Sequence, residues 1–261
     1  MRVLLAGLGG MAAFFIWFLM LQDASAAALS QQATDLFDSR PARSILIAGN
    51  SRTYRNDMPA MLREIADSAG SQAKFQIESS SYPGANFKTH WENGRSRRLL
   101  GRGWDDIILQ PESGAQTCQP CNKVFLEYGS KLAAAAKVKQ GRPWLIVGWP
   151  YDVRLYDDPG FDRAAHLALL TEMHAKLASE ADLGRINVAG AWEALRLSHS
   201  AIQLTTDGNH PSVAGTYLYA LAVYAQLSNG TVAAVTYVPD GVSATDAEAI
   251  RQAVDSIPLM S

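Results

Sequence analysis

The sequence predicts an α/β protein: a three-layer α/β/α sandwich around a mainly parallel sheet of about five strands. Three observations point there. From Ser44 onward, short apolar runs alternate with stretches whose apolar residues recur at helical spacing. Gly, Pro and Asn punctuate the joints between them. The 261 residues, 48% hydrophobic and 18% charged, carry enough apolar material for one sizeable core. Strands that are apolar throughout, separated by helices, belong to parallel sheets covered on both faces, and in such folds function sits beyond the carboxyl ends of the strands.

The elements follow in order. Ser44 to Ala48 (SILIA) reads as a buried strand, and Met58 to Ala66 as a helix with Asp57 as N-cap and Pro59 just inside it. Phe75 to Glu78 is the second strand, before a helix from Phe87 to Leu100; Asp106 to Leu109 is the third, before a helix from Asn122 to Val138. Trp144 to Val147 precedes a helix from Phe161 to Ser179, Ile186 to Val188 makes a fifth short strand, and Pro211 to Leu227 is a helix with proline in its first turn. From Val232 the tail reads as an extended segment, a turn at Asp240-Gly241 and a last helix.

Residues 1–26 have the form of a signal peptide: Arg2, an apolar run from Val3 to Leu21, then small residues at Ala24-Ser25-Ala26. Residues 27–261 are then one exported domain, periplasmic or secreted. The apolar run approaches the length that crosses a bilayer, so an uncleaved N-terminal anchor is the second reading, and the only expected link to a membrane. A net charge of −2 gives no basic footprint for nucleic acid. The only two cysteines are Cys118 and Cys121. In an oxidising compartment this pair reads as a local disulfide; the sharper reading is a redox-active dithiol. No cysteine or histidine cluster has the spacing of a zinc site. His90, His166, His174 and His199 fall in expected helices as packed or solvated residues, and Arg95 to Arg98 as charges favourable at a helix C-terminus. No metal or cofactor is expected.

The chemistry-bearing segments lie at opposite ends of the chain. Gly49-Asn50-Ser51 puts a serine at the end of the first strand, either as a nucleophile on a tight turn or as the cap of the next helix. Asp207-Gly208-Asn209-His210 puts a carboxylate and an imidazole on one loop before a helix. A serine becomes nucleophilic when an imidazole removes its proton, and the imidazole needs a carboxylate to fix its tautomer. The plain alternative is that Asp207 and His210 cap the helix at Pro211. Trp149 and Tyr151 flank Pro150 in the loop after the fourth strand, either to stack on a sugar or acyl group or to pack the loop.

Taken together, Ser51 after the first strand and the Asp-x-x-His of Asp207 and His210 resemble the SGNH/GDSL-like serine hydrolases. Tyr82-Pro83-Gly84-Ala85-Asn86 matches the block that supplies a glycine N–H, and Leu109-Gln110-Pro111 stands where the family supplies an asparagine. The resemblance implies a flavodoxin-like SGNH hydrolase fold and a Ser51–His210–Asp207 triad, with an oxyanion hole from Ser51, Gly84 and Gln110. It also implies ester hydrolysis through an acyl-enzyme, on a small-molecule or glycan ester or a lipid. Two departures stand out: Gly-Asp-Ser appears as Gly49-Asn50-Ser51, and Gln110 replaces asparagine. An O-acyltransferase acting on a glycan, and a non-catalytic carbohydrate-binding relative, share the same fold.

Overall fold

The computed structural model describes residues 38–114, 119–152 and 162–260. The expected signal peptide lies outside them. The chain divides into two units, residues 1–41 and 42–261, and the fold lies in the second. Five strands, β1 (Ala42–Gly49), β2 (Lys74–Ser81), β3 (Asp106–Leu109), β4 (Arg142–Val147) and β5 (Gly184–Asn187), form one sheet in the order β2-β1-β3-β4-β5. All four pairings are parallel. Every strand is therefore followed by a connection that returns over a face of the sheet, as the alternating sequence pattern requires.

Period-two alternation along β1 sorts the core. Ile45 and Ile47 point to one face with Ile108, Ile146 and Ile186; Leu46 and Ala48 point to the other with Ile107, Leu109 and Leu145. The first face is covered by α2 (Met58–Ser68), α7 (Val188–Ser198), α8 (Val213–Ser228) and α9 (Ala244–Asp255). The second is covered by α3 (Phe87–Glu92), α4 (Gly94–Leu100), α5 (Gln119–Lys137) and α6 (Arg163–Ala181). A four-residue helix, α1 (Ser51–Tyr54), stands between β1 and α2. Helix α8 is buried along nearly its whole length, with Tyr217, Leu218, Tyr219 and Leu221 fully enclosed. No helix among the described residues is long and apolar enough to cross a membrane.

Local chemistry sets most boundaries. Asp57 caps α2 by accepting from the Ala60 N–H at 3.2 Å, with proline in the first turn, as expected. The single helix expected from Phe87 to Leu100 is two, because the Asn93 side chain accepts from the N–H groups of Arg95 and Ser96 and starts a second helix. Helix α8 begins at Val213, capped by Ser212; Pro211 instead pairs with Thr205 in an isolated bridge. Val188 opens α7 rather than ending β5, because Asn187 caps that helix through the Gly190 N–H. The tail from Val232 joins no ladder and is tied down by Asp255, which accepts from the Val232 N–H at 2.8 Å.

Charged and polar side chains mark one sheet edge and the amino end of the central strand. Edge strand β2 holds Lys74, Gln76 and Glu78, and Glu78 is paired with Arg95 and Arg102. At the opposite end of the strands, the carboxylate of Asp106 is fully buried in β3 and accepts from Arg43 Nε at 2.6 Å and Trp144 Nε1 at 2.8 Å. It thereby binds β1, β3 and β4 together where no ligand loop does so.

Two imidazoles lie in the layer of α3 to α6. His90 is completely enclosed and His174 nearly so. His174 Nδ1 donates to the Leu170 carbonyl at 2.7 Å. Burial pushes both groups down to about 4. In the unfolded chain a histidine titrates near 6.5. Between those values the unfolded chain binds more protons, so stability rises with pH and is lost on acidification from about 6.5 to about 4. Each histidine contributes at most about 1.4 kcal/mol per pH unit in that window. Urea unfolding at several pH values should show this decline, and His174→Phe should reduce its slope, leaving the part that His90 contributes.

Candidate active site

The carboxyl ends of β1, β2, β3 and β4 open onto the loops that carry the expected site residues. Ser51 is the first residue of α1, with Asn50 as its N-cap. The side chain of Asn50, itself 3% exposed, accepts from the Arg52 N–H at 3.1 Å. Gly49 is the last residue of β1, and its role is space rather than a left-handed turn: a Cβ there would come within 2.3 Å of Thr53 Oγ1. The Gly49 carbonyl accepts from His90 Nε2 at 3.0 Å, while His90 Nδ1 meets the Ser96 hydroxyl at 3.1 Å. A neutral imidazole donating through Nε2 fits both bonds.

The other half of the site arrives 159 residues later. His210 Nε2 lies 2.9 Å from Ser51 Oγ, and His210 Nδ1 lies 2.6 Å from Asp207 Oδ2. Asp207 Oδ1 accepts from the backbone N–H groups of His210 at 2.7 Å and Asn209 at 3.0 Å. Partial burial pushes the Asp207 carboxyl up, but the backbone and ring donors of His210 and the backbone of Asn209 outweigh it and hold the group down at about 2. The carboxylate therefore stays charged and fixes the imidazole with Nε2 free to accept from the serine. The loop is closed on itself by the Thr206 N–H to the His210 carbonyl at 2.9 Å.

Gly84 sits at φ +62° in a turn closed by the Ala85 N–H to the Tyr82 carbonyl, which glycine adopts without strain. The next residue ties this turn to the serine: the Ala85 carbonyl accepts from Asn50 Nδ2 at 3.2 Å, as does that of Pro111. Gln110, 4% exposed, is not turned outward as an oxyanion donor. Its Oε1 accepts from the Asn50 N–H at 3.0 Å and from the Thr53 hydroxyl at 3.2 Å, and its Nε2 donates to the Pro111 carbonyl. The physical reason is that two donors at the buried end of β1 need an acceptor, and the longer glutamine side chain reaches them.

Trp149 and Tyr151 are also elsewhere than on a binding surface. They are 1% and 6% exposed, and the Trp149 ring lies flat on Trp192 at 4.1 Å. Both rings flank the guanidinium of Arg52, at 4.3 and 5.4 Å. Packing the loop is their structural role. Sequence reasoning noted Asn50 only as a departure from a motif and passed over Arg52, Thr53, Asn56 and Asn209, all polar and close in the chain to Ser51 or His210; that closeness was the available signal. Cys118 lies outside the described residues, and Cys121, in the first turn of α5, is not a free thiol. Among the described residues no group of acidic, histidine or cysteine side chains could hold a metal. Next to the Asn50 brace is a cleft of about 260 Å³ whose walls include Asn86, Phe87, Pro111, Glu112 and Phe125.

The brace makes Gln110→Ala a stability variant. It leaves the buried Asn50 N–H and Thr53 hydroxyl without their acceptor, a loss of about 1–3 kcal/mol. Asn50→Asp should cost at least as much, because a carboxylate cannot donate to the carbonyls of Ala85 and Pro111. Denaturant unfolding of both variants checks this.

No protein-family model and no curated protein matches the sequence. Solved structures do resemble it. A protein from Slackia heliotrinireducens described as an SGNH hydrolase is 25% identical, with 71% of this chain and 99% of that one aligned at a TM-score of 0.58. A DUF4886 family protein from Bacteroides uniformis aligns over 83% of this chain and 94% of its own at 17% identity and a TM-score of 0.71. An acetylxylan esterase from Geobacillus stearothermophilus aligns over 73% and 95% at 15% identity and a TM-score of 0.55. With its five-stranded parallel sheet flanked by helices, the chain has an α/β fold like that of these SGNH hydrolases.

Proposed function

We propose that this chain is an exported serine esterase that hydrolyses acyl esters, with Ser51 as nucleophile, His210 as general base and Asp207 holding that base. One observation carries the reading: the unbroken hydrogen-bond path from Ser51 Oγ through the two ring nitrogens of His210 to the Asp207 carboxylate. A serine that merely capped a helix would have no need of an oriented imidazole.

In the first half-reaction Ser51 Oγ attacks the acyl carbonyl while its proton passes to His210 Nε2. The oxyanion is held by the backbone N–H groups of Ser51, at the start of α1, and of Gly84. Collapse of the tetrahedral adduct breaks the bond to the alcohol, which takes the proton from His210. Water, deprotonated by the same nitrogen, then attacks the acyl-serine and releases the acid. The 260 Å³ cleft walled by Asn86, Phe87 and Pro111 has the size for a small acyl or sugar group, and the acetylxylan esterase among the similar folds supports a carbohydrate ester as the substrate class. A disulfide between Cys118 and Cys121 accords with export.

The test is acetate release from acetylated oligosaccharides together with labelling by a fluorophosphonate. Ser51→Ala should abolish both. Product recovered on an added sugar acceptor instead of as free acetate would make the chain a transferase, and no labelling of the wild type would make it a binding protein. Asp207 stays ionised down to about 2, so its carboxylate holds the imidazole throughout the neutral and mildly acidic range. Asp207→Asn should keep the fold and lower kcat by up to about 10⁴-fold, as a wrong tautomer does. For the cysteines, exported protein should resist alkylation until reduced, and replacing both by serine should lower the Tm.

A further inference from the structure

We infer that Arg52 and Asn56 form a two-point clasp that sets the position of the base from the nucleophile's own segment, an inference that rests on the roles given above to Ser51 and His210. The two residues beside His210 in the chain are Asn209 and Pro211. Arg52 Nε donates to Asn209 Oδ1 at 3.0 Å, and Asn56 Nδ2 donates to the Pro211 carbonyl at 3.0 Å. Among the described residues these two bonds, with the Ser51–His210 contact itself, are the hydrogen bonds between residues 50–57 and the loop 203–212. The loop's internal bonds fix its shape, Trp149 and Asp152 tie it to the segment after β4, and the clasp is its direct tie to the segment that carries Ser51.

Each jaw is built so that it cannot drift. Arg52 is 3% exposed, lies over the Trp149 ring, and donates through Nη1 to the Trp149 carbonyl at 2.8 Å. Trp149 Nε1 in turn donates to the Asn209 carbonyl at 3.0 Å, closing a ring of three contacts. Asn56 has a second acceptor in Thr216 Oγ1 at 2.8 Å, on the first turn of α8. Its backbone is left-handed at φ 53°, and that of Asp57 follows at φ 47°. Two consecutive non-glycine residues in that region cost free energy that a plain connection from α1 to α2 need not spend. The conformation aims the Asn56 amide at the base loop, and asparagine is the non-glycine residue that tolerates it best. Both are positioning residues; neither touches substrate in this arrangement.

The experiment uses the exported chain with p-nitrophenyl acetate turnover, fluorophosphonate labelling rate and Tm measured on the same preparations. Asn56→Gly removes the amide and accepts the left-handed backbone without strain, so the Tm should hold. Its kcat and labelling rate should both fall about tenfold to a hundredfold, the scale of a misplaced reacting group, with KM nearly unchanged. Arg52→Lys keeps the charge and loses the fork, and should show the same split between kcat and KM. Wild-type kcat and labelling rate in Asn56→Gly would overturn the clasp, as would a loss explained wholly by fewer titratable sites in either variant. Labelling that survives Ser51→Ala would instead overturn the nucleophile assignment, and the clasp with it.

Discussion

Everything in this molecule is arranged around one requirement: a hydroxyl on Ser51 and an imidazole on His210, 159 residues apart, at 2.9 Å. The parallel sheet supplies coarse placement, because every strand delivers its following loop to the same edge. A sheet alone cannot hold two side chains to within a fraction of an ångström. The serine's side is held by a polar layer above the strand ends, where Asn50, Thr53, Gln110 and His90 satisfy the backbone and one another, and the imidazole's side by bonds from Arg52 and Asn56. A buried polar network in which each member has its partner is stiff, and each missing partner is expensive.

The two departures from the SGNH/GDSL-like motifs that the sequence resembles make physical sense as a pair. Asn50 presents a backbone donor to Gln110 and a side-chain amide to the carbonyls of Ala85 and Pro111. An aspartate could not make the last two bonds while ionised. The turn that carries Ser51 is thus linked to the loops after β2 and β3 through neutral amides. A charge is tolerated one residue further on, at Arg52, between two aromatic faces; burial lowers its affinity for a proton only to about 10, so it stays cationic.

Much of this was legible in the sequence, and for identifiable reasons. The strands were readable because parallel strands buried on both faces are continuous apolar runs, as at Ser44 to Ala48 and Asp106 to Leu109. Ser51, Asp207 and His210, which the structure brings within hydrogen-bond distance, were readable because their types and order have few other uses together. Helix α7 was hidden because its start depends on Asn187 capping a short apolar run that strand propensity claims equally well. The break at Asn93 was hidden for the same reason, a single side chain capturing two N–H groups. Gln110, Trp149 and Tyr151 were placed at the correct edge of the sheet but turned the wrong way, since sequence position locates a backbone and not the direction of its side chain. That direction is decided by which buried groups lack partners.

The edges of the sheet bear on whether another strand could extend it. A parallel sheet ends in two rows of open backbone donors and acceptors, a template for another copy to extend. One border here, β5, is only four residues long, too short to offer much purchase. The longer border, β2, places Glu78 midway, flanked by the guanidinium groups of Arg95 and Arg102. An incoming strand would have to displace those ion pairs and strip their water before gaining a single ladder bond. Charge at that border therefore discourages edge-to-edge association while leaving the opposite corner, where acyl chemistry is proposed, free of any such duty.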